Sequence, residues 1–416
     1  MSSINLNSLD KSNWKSYKFE EIAFKISKTV KPQEADVDIY VGLEHLDGED
    51  LHIRRKGVPS DVKGGKLRCH QGDVIFGKRR AYQRKAAVVD FEGICSAHAF
   101  VFRANTEVIH PDLFPFFLHS DQFMHRMIDI SVGGLSPTIN WGDLKHQEFL
   151  LPPKDQQARL AELLWGMDEV IEKSIELLKA SFIQLQVSNN HFLLEGFNNK
   201  TTFSKKLKRQ VSIDSQVLSV EELINSNFLK KVQDGNHGEI HPKSKDYVSE
   251  GIPFIMANTL IKGKVDLSKA KKLPQRITDR LRIGFSIPND VLLSHKGTIG
   301  QTAVVPNDLD CPYVMLTPQV TLYRTAEKKL LHKFLFYSMS SSYFQNQLLN
   351  LSSQSTRAYI GITSQLNLNL VIPNTIEKQK LAVEFLDDLS NNKSLVDKAI
   401  DSSKALQKSL INQIFG

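Results

Sequence analysis

The sequence predicts an α+β chain that is one unit written twice: two similar globular domains, each followed by a long helix, with the two helices forming a coiled-coil spacer. Three observations carry this. An extended stretch ending in proline runs into a long amphipathic pattern at Glu148-Phe149-Leu150-Leu151-Pro152 and again at Asn369-Leu370-Val371-Ile372-Pro373. Pro152 and Pro373, Leu160 and Leu381, and Leu185 and Leu406 all stand 221 residues apart. Upstream, Gly72 to Phe76 resembles Asn289 to Leu293 at an offset of 217, and Ala87-Val88-Val89 resembles Ala303-Val304-Val305 at 216, so the units differ by a few loop residues.

Size and composition agree. At ~150 residues per domain, 416 residues give two or three domains. With 41% hydrophobic and 24% charged residues the chain is neither disordered nor collagen-like. No apolar run approaches the ~20 residues that span a bilayer, and Met1 to Trp14 lacks the apolar stretch of a secretion signal. Cys69, Cys95 and Cys311 form no CxxC pair and no disulfide framework, which predicts a reducing cytoplasm. A net charge of +7 and a pI near 9.0 favour an anionic partner, nucleic acid first.

In chain order, Lys85 to Val89, His98 to Phe102 and Val314 to Tyr323 alternate as strands. Gly64-Gly65, Gly133-Gly134 and Pro306-Asn307-Asp308 punctuate them as turns. A helix is expected over Pro111 to Met127, with a counterpart near Leu330 to Leu349. Asn198 to Gln210, polar and basic without apolar period, reads as the boundary between units. From Gln156 the apolar residues Leu160, Leu164, Met167, Ile171, Ile175, Leu178, Phe182 and Leu185 follow a near-3.5 repeat. Leu381, Phe385, Val396, Ala399 and Leu406 hold the corresponding positions, interrupted by Asp388, Asn392 and Ser403. A helix of about 40 residues is roughly 60 Å long. Neither helix can hide its stripe alone. The two pair with each other, or each packs on its own domain. Two similar heads on a separator suit a long repetitive ligand such as DNA.

At this point the residues resemble a known family, the specificity subunits of type I restriction–modification systems. The resemblance is carried by Asn13 to Ala23, Gly72 to Ala86, Gly251 to Ile255 and Asp290 to Gly300, each half then closing with its proline strand and long helix. It covers essentially the whole chain. The second proline motif, Pro373-Asn374, departs from the double proline of the first, Pro152-Pro153. The resemblance implies two target-recognition domains separated by two antiparallel helices with approximate twofold symmetry. The division would be 1–150, first recognition domain; 151–197, first spacer helix; 198–211, linker; 212–372, second recognition domain; 373–416, second spacer helix. It further implies a non-enzymatic subunit that reads a bipartite DNA site, one half-site per domain. The subunit would assemble with two modification subunits, which use S-adenosylmethionine to methylate adenine, and with restriction subunits that use ATP and Mg. No cofactor is expected on this chain.

Lys78, Arg79, Arg80, Tyr82, Arg84 and Lys85 put five cations and an aromatic within eight residues, which suits phosphate contacts and arginine readout of a guanine edge. The alternative is a solvated hairpin. The counterpart is Ser294, His295, Lys296 and Thr298, where Gly297 and Gly300 permit close backbone approach or a turn at positive φ. Asn236, His237 and Lys243 can read base edges or make a plain turn, and Arg357 with Tyr359 forms another polar loop whose counterpart, Gly133 to Thr138, is uncharged. Leu163 and Trp165 are candidate exposed partner contacts on the first helix.

Catalysis finds no support. No Walker lysine motif, no GxSxG elbow and no Asn/Asp-Pro-Pro-aromatic motif of adenine methyltransferases is present. His119 and His125 are expected as exposed polar residues on opposite sides of a helix, and Asp73 and Asp290 as turn residues before apolar strands. A self-contained nuclease or methyltransferase, and a coiled-coil scaffold with incidental charge, are the rival classes.

Overall fold

The structure, a computed structural model, describes residues 11–196, 200–237, 240–353 and 359–416. They divide into two compact units, Met1–Leu177 with Val396–Gly416, and Leu178–Leu395. Each long helix therefore contributes to both units, a division the repeat did not reveal.

The first unit opens with Lys15–Lys18 paired antiparallel to Glu148–Leu151, Tyr17 opposite Phe149. One sheet then runs Ala23–Ile26, Ala99–Ala104, Val74–Gly77, Ala86–Val88, all antiparallel. A second runs Thr29–Val30, Lys66–Cys69, Gly93–Cys95, Tyr40–Val41, the last pair parallel. Val74–Gly77 is buried on both faces, which explains its continuous apolar run. Against it packs an aromatic core in which Phe19 meets Phe102 edge-on at 5.1 Å and Phe117 meets Phe149 at 5.2 Å.

The second unit repeats the strand order. Leu229–Asp234, Val320–Thr325, Val291–Ser294 and Thr302–Val304 lie side by side, extended by Gly263–Val265 and Leu260–Ile261. Ser215–Ser219 pairs with Asn369–Pro373 as its counterparts do. The single strand expected over Val314 to Tyr323 is two, Val314–Leu316 and Val320–Thr325, in different sheets. Each expected mid-domain helix is likewise two. Phe114–His119 and Asp121–Asp129 break at Ser120, whose hydroxyl caps Phe123, and His332–Ser340 and Ser342–Ser352 break at Ser341. The expected linker 198–211 holds most of a hairpin, Thr201–Ser204 with Arg209–Ser212.

Both aspartates do close turns, and each does more. Asp73 accepts from the His70 N–H and Asp290 from the Ile287 N–H. Arg103 clasps Asp73 through Nε and Nη2 at 2.7 and 3.0 Å, and Arg324 clasps Asp290 at 2.8 Å twice. The carboxylates are 0% and 1% exposed, so the paired guanidinium is what makes their burial tolerable.

The long helices are Lys154–Asn190, closed by a π-turn at His191–Glu195, and Ile376–Phe415. Both sequence alternatives hold at once. In the first unit Leu160, Ala161 and Leu164 share a core with the domain's phenylalanines and with Leu410, Ile411, Ile414 and Phe415. In the second, Phe192 meets Phe385 at 4.4 Å while Lys393 lies over Phe182 at 5.3 Å, so the two segments run antiparallel there.

The expected seam holds on the first helix except at Phe182, which is largely exposed. On the second it is wrong by one residue. Leu381 is 53% and Leu406 63% exposed, and Ala399 also faces solvent, while Ala382, Val383, Leu386, Ile400 and Leu410 are buried; of the expected positions only Phe385, against Phe192, and the half-buried Val396 keep a partly covered place. The cause is one extra residue after the second proline strand. Gln157 is five residues past Pro152, and Gln379 six past Pro373. These buried glutamines make the same latch: Gln157 accepts from His110 N–H and donates to Val108 O, and Gln379 accepts from Leu331 N–H and donates to Lys329 O. One residue rotates a helix face by about 100°.

Candidate nucleic-acid interface

In the first unit the central strand ends at Gly77, and the next residues are fastened to the loop that follows Asp121–Asp129. The Ile139 N–H donates to Lys78 O at 2.9 Å, the Arg80 N–H to Pro137 O at 2.7 Å, and Arg79 bridges Thr138. Arg80 and Arg84 both take left-handed backbone, φ 55° and 52°, around the short turn Ala81–Gln83. This double reversal divides the cation cluster. Arg80 and Tyr82 face solvent, with Tyr82 54% exposed, and Arg79 is half-buried. Arg84 turns inward: its Nη2 lies 2.6 Å from Asp121 and 3.1 Å from His119 O, with Glu49 at ion-pair distance. Lys85 donates to Leu43 O at 2.6 Å. The expectation that Arg84 and Lys85 face DNA is therefore corrected, because the fold itself uses their donors.

Two strands add what the linear cluster lacked. Lys25 lies over Phe100 and Trp141 at 5.9 and 5.7 Å, and Lys78 over Phe100 at 5.3 Å. Burial, then the nearby Lys25 charge, pulls the Lys78 pKa down. His98 is likewise lowered, by burial and then by Arg79, Lys78 and Lys66. Sequence spacing could not join these residues. The one signal was a lysine, Lys25, inside an otherwise apolar strand.

The second unit carries the same fastening. The Ile360 N–H donates to His295 O at 3.0 Å and Lys296 bridges Tyr359, matching Lys78–Ile139 and Arg79–Thr138. Lys296 and Thr298 are exposed, and Gly297 and Gly300 take φ of 79° and 88°, so the turn itself needs the glycines. Ser294 and His295 are corrected. Ser294 is buried and its hydroxyl accepts from Gln301 N–H. His295 is 1% exposed, its ring against Tyr359 at 5.6 Å and 3.5 Å from Asp234, and burial holds its pKa down. Asn236 is also buried, with its amide donating to Ile240 O as a loop latch, so it offers no base-reading edge. His237 and Lys243 are exposed and Tyr359 is 45% exposed. Arg357 lies outside the described residues.

His119, expected at the surface, is buried with Nε2 2.7 Å from Ala86 O. Trp165 is corrected too: its indole N–H donates to Asp112 O and its ring packs on Phe116 at 5.1 Å, so it docks the helix on its own domain. Leu163 is 39% exposed, and Val170 and Leu177, one and two heptads on, are more so. Among the described residues no group of three or more His, Cys, Asp or Glu is arranged to hold a metal ion, and no helix is long and apolar enough to cross a membrane.

Comparison with known proteins agrees with this duplicated arrangement. A family profile described as the type I restriction modification DNA specificity domain matches residues 11–184 and again 223–402. The chain is 23% identical over 268 residues to the type I restriction enzyme MjaVIII specificity subunit of Methanocaldococcus jannaschii, covering 63% of this chain and 60% of that protein. It is 22% identical to the putative MjaX specificity subunit of the same organism, over 87% and 83% of the two chains. It is 22% identical to the EcoBI specificity subunit of Escherichia coli, over 64% and 56%. In fold it is similar to a chain from a structure concerned with complex assembly and conformational transition of the type I R-M system, with TM-score 0.59, 19% identity and coverage of 97% and 98%. It is also similar to the S subunit of a type I restriction–modification system from M. genitalium, with TM-score 0.54, 13% identity and coverage of 98% of both chains. With the DNA specificity profile matched over most of its length, in two copies, the chain belongs to the type I restriction modification DNA specificity family.

Proposed function

We propose that this chain is the non-catalytic DNA-reading subunit of a type I restriction–modification complex, recognising a bipartite site with one half-site per domain. The observation that carries the reading is the duplication. One DNA specificity profile matches twice, and each copy fastens its central-strand end to the same loop. A second half-site needs a second reader, and two readers of unlike side chains suit two unlike half-sites.

In the first domain we assign DNA contact to Lys78, Arg79, Arg80 and Tyr82, with Lys25 added from the neighbouring strand. In the second we assign it to Lys296, Thr298, His237, Lys243 and Tyr359. The solvent-facing heptad positions Leu163, Val170 and Leu177 are the docking face for the modification subunits. S-adenosylmethionine, ATP and Mg belong to those partners and to the restriction subunits. The free, buried Cys69 and Cys95 suit a reducing compartment.

The test is co-expression with the methyltransferase partner followed by methylation mapping. The expected motif has two specified parts separated by unread bases. An uninterrupted motif would overturn the reading.

A further inference from the structure

We propose that the connection between Ile252–Ile255 and Phe285–Ser286 in the second unit is a sequence-neutral phosphate-binding surface for duplex DNA, beside the base-reading loops rather than within them. The proposal rests on the DNA-reading function above. Residues 256–284 carry eight Lys and Arg against two Asp, a surplus of six in a chain whose total is +7.

The first unit has the equivalent connection. Tyr40–Val41 runs parallel beside Gly93–Cys95 as Ile252–Ile255 does beside Val314–Leu316. There residues 42–65 carry four Lys and Arg against five Asp and Glu. Three of the four cations are engaged: Arg54 by Asp50 and Glu172, Arg55 by Asp47, and Lys56 by Asp90.

In the second unit Lys264, Lys271, Arg276, Arg280 and Arg282 are exposed and have no ion-pair partner among the described residues. Like charges held together at a surface repel, and a polyanion relieves that repulsion while releasing its own counterions. The patch also joins the reading loops. The Val248 N–H donates to Lys272 O at 3.0 Å, so the chain that follows Lys243 reaches the edge strand Lys271–Leu273 at Val248. This continuity favours DNA over an acidic protein. Phosphate contacts fix position without reading sequence, so this surface adds affinity to any duplex.

The test uses the full chain with Lys271→Gln, Arg276→Gln, Arg280→Gln and Arg282→Gln combined. Fluorescence anisotropy follows binding to a random-sequence duplex and to the duplex identified by methylation mapping, from about 50 to about 300 mM salt. All four residues are exposed, so the thermal midpoint by circular dichroism should match the parent. The expected result is weaker binding to both duplexes by a similar factor. The slope of log affinity against log salt should also fall by about 0.9 for every phosphate that the variant no longer neutralises. If the parent binds and the variant keeps the parent's slope, the surface is refuted and the reading function stands. If the parent binds no duplex at all, the reading function fails and this proposal with it. Parental DNA binding combined with loss of a co-purifying acidic protein would reassign the surface to that protein and overturn the proposal.

Discussion

Arg79 and Arg84 are five residues apart in one basic run, yet the left-handed turns at Arg80 and Arg84 give them opposite duties. Arg79→Ala should weaken DNA binding and lower its salt slope by about 0.9 if it holds one phosphate. Arg84→Ala should leave that slope unchanged and cost about 1–3 kcal/mol in urea denaturation, because Asp121 and the His119 carbonyl would be deprived of a shared donor. Equal slope changes in the two variants would contradict the division. Protonation adds a second residue-scale expectation. His52 has its pKa raised by the 2.7 Å bond to Asp168, against opposing burial, with Glu172 and Arg54 also facing it. Its bond therefore contributes fully below about pH 6.5 and fades as pH rises through the raised folded value. His52→Gln should cost most stability near pH 6 and least near pH 8, and a loss independent of pH would refute this. Burial gives His295 the opposite sign, so acidification costs stability there. That this stretch concentrates positive charge was legible from the sequence. Which of its members point outward was not, since that depends on two backbone reversals the composition does not encode.

The helices teach a related lesson about register. Their existence and near-equal lengths were legible from periodicity, because a 3.5 repeat over this many residues has no other common explanation. The buried face of the second was not, because an offset taken from the prolines misses the extra residue before Gln379. The glutamine latch, not the proline, sets the rotation: a buried amide must satisfy the Leu331 N–H and the Lys329 carbonyl, and the helix turns until it does. Leu386→Asp should therefore unfold the second unit, since it puts a charge into the core, at a cost of several kcal/mol. Leu381→Asp should fold normally, because its side chain already faces solvent. Unfolding by Leu381→Asp, measured by thermal melting, would restore the register expected from the prolines.

For the molecule as a whole, the strand order was legible only as a repeat of motifs, yet it proved to be the deepest similarity. Leu229–Asp234, Val320–Thr325, Val291–Ser294 and Thr302–Val304 reproduce the order of their first-unit counterparts even though few side chains match. Shared framework with unlike loops predicts independent reading. Replacing residues 212–370 with the same region of a relative should change one half of the methylated motif and leave the other intact. A change in both halves on methylation mapping would show that the domains read jointly.

The division into units also has a temporal side. Residues 396–416 leave the ribosome after all of residues 178–395, yet they belong to the first unit, where Phe415 meets Phe117 at 5.4 Å and Asn412 bonds Asp121. The unit that holds residues 11–177 therefore cannot finish its core until the other unit has been synthesised. Until then the aromatic faces around Phe117 are open to solvent and to any chaperone that binds apolar surface. The order of translation and the order of completion run in opposite directions, so the second unit, although synthesised later, is the first that can close.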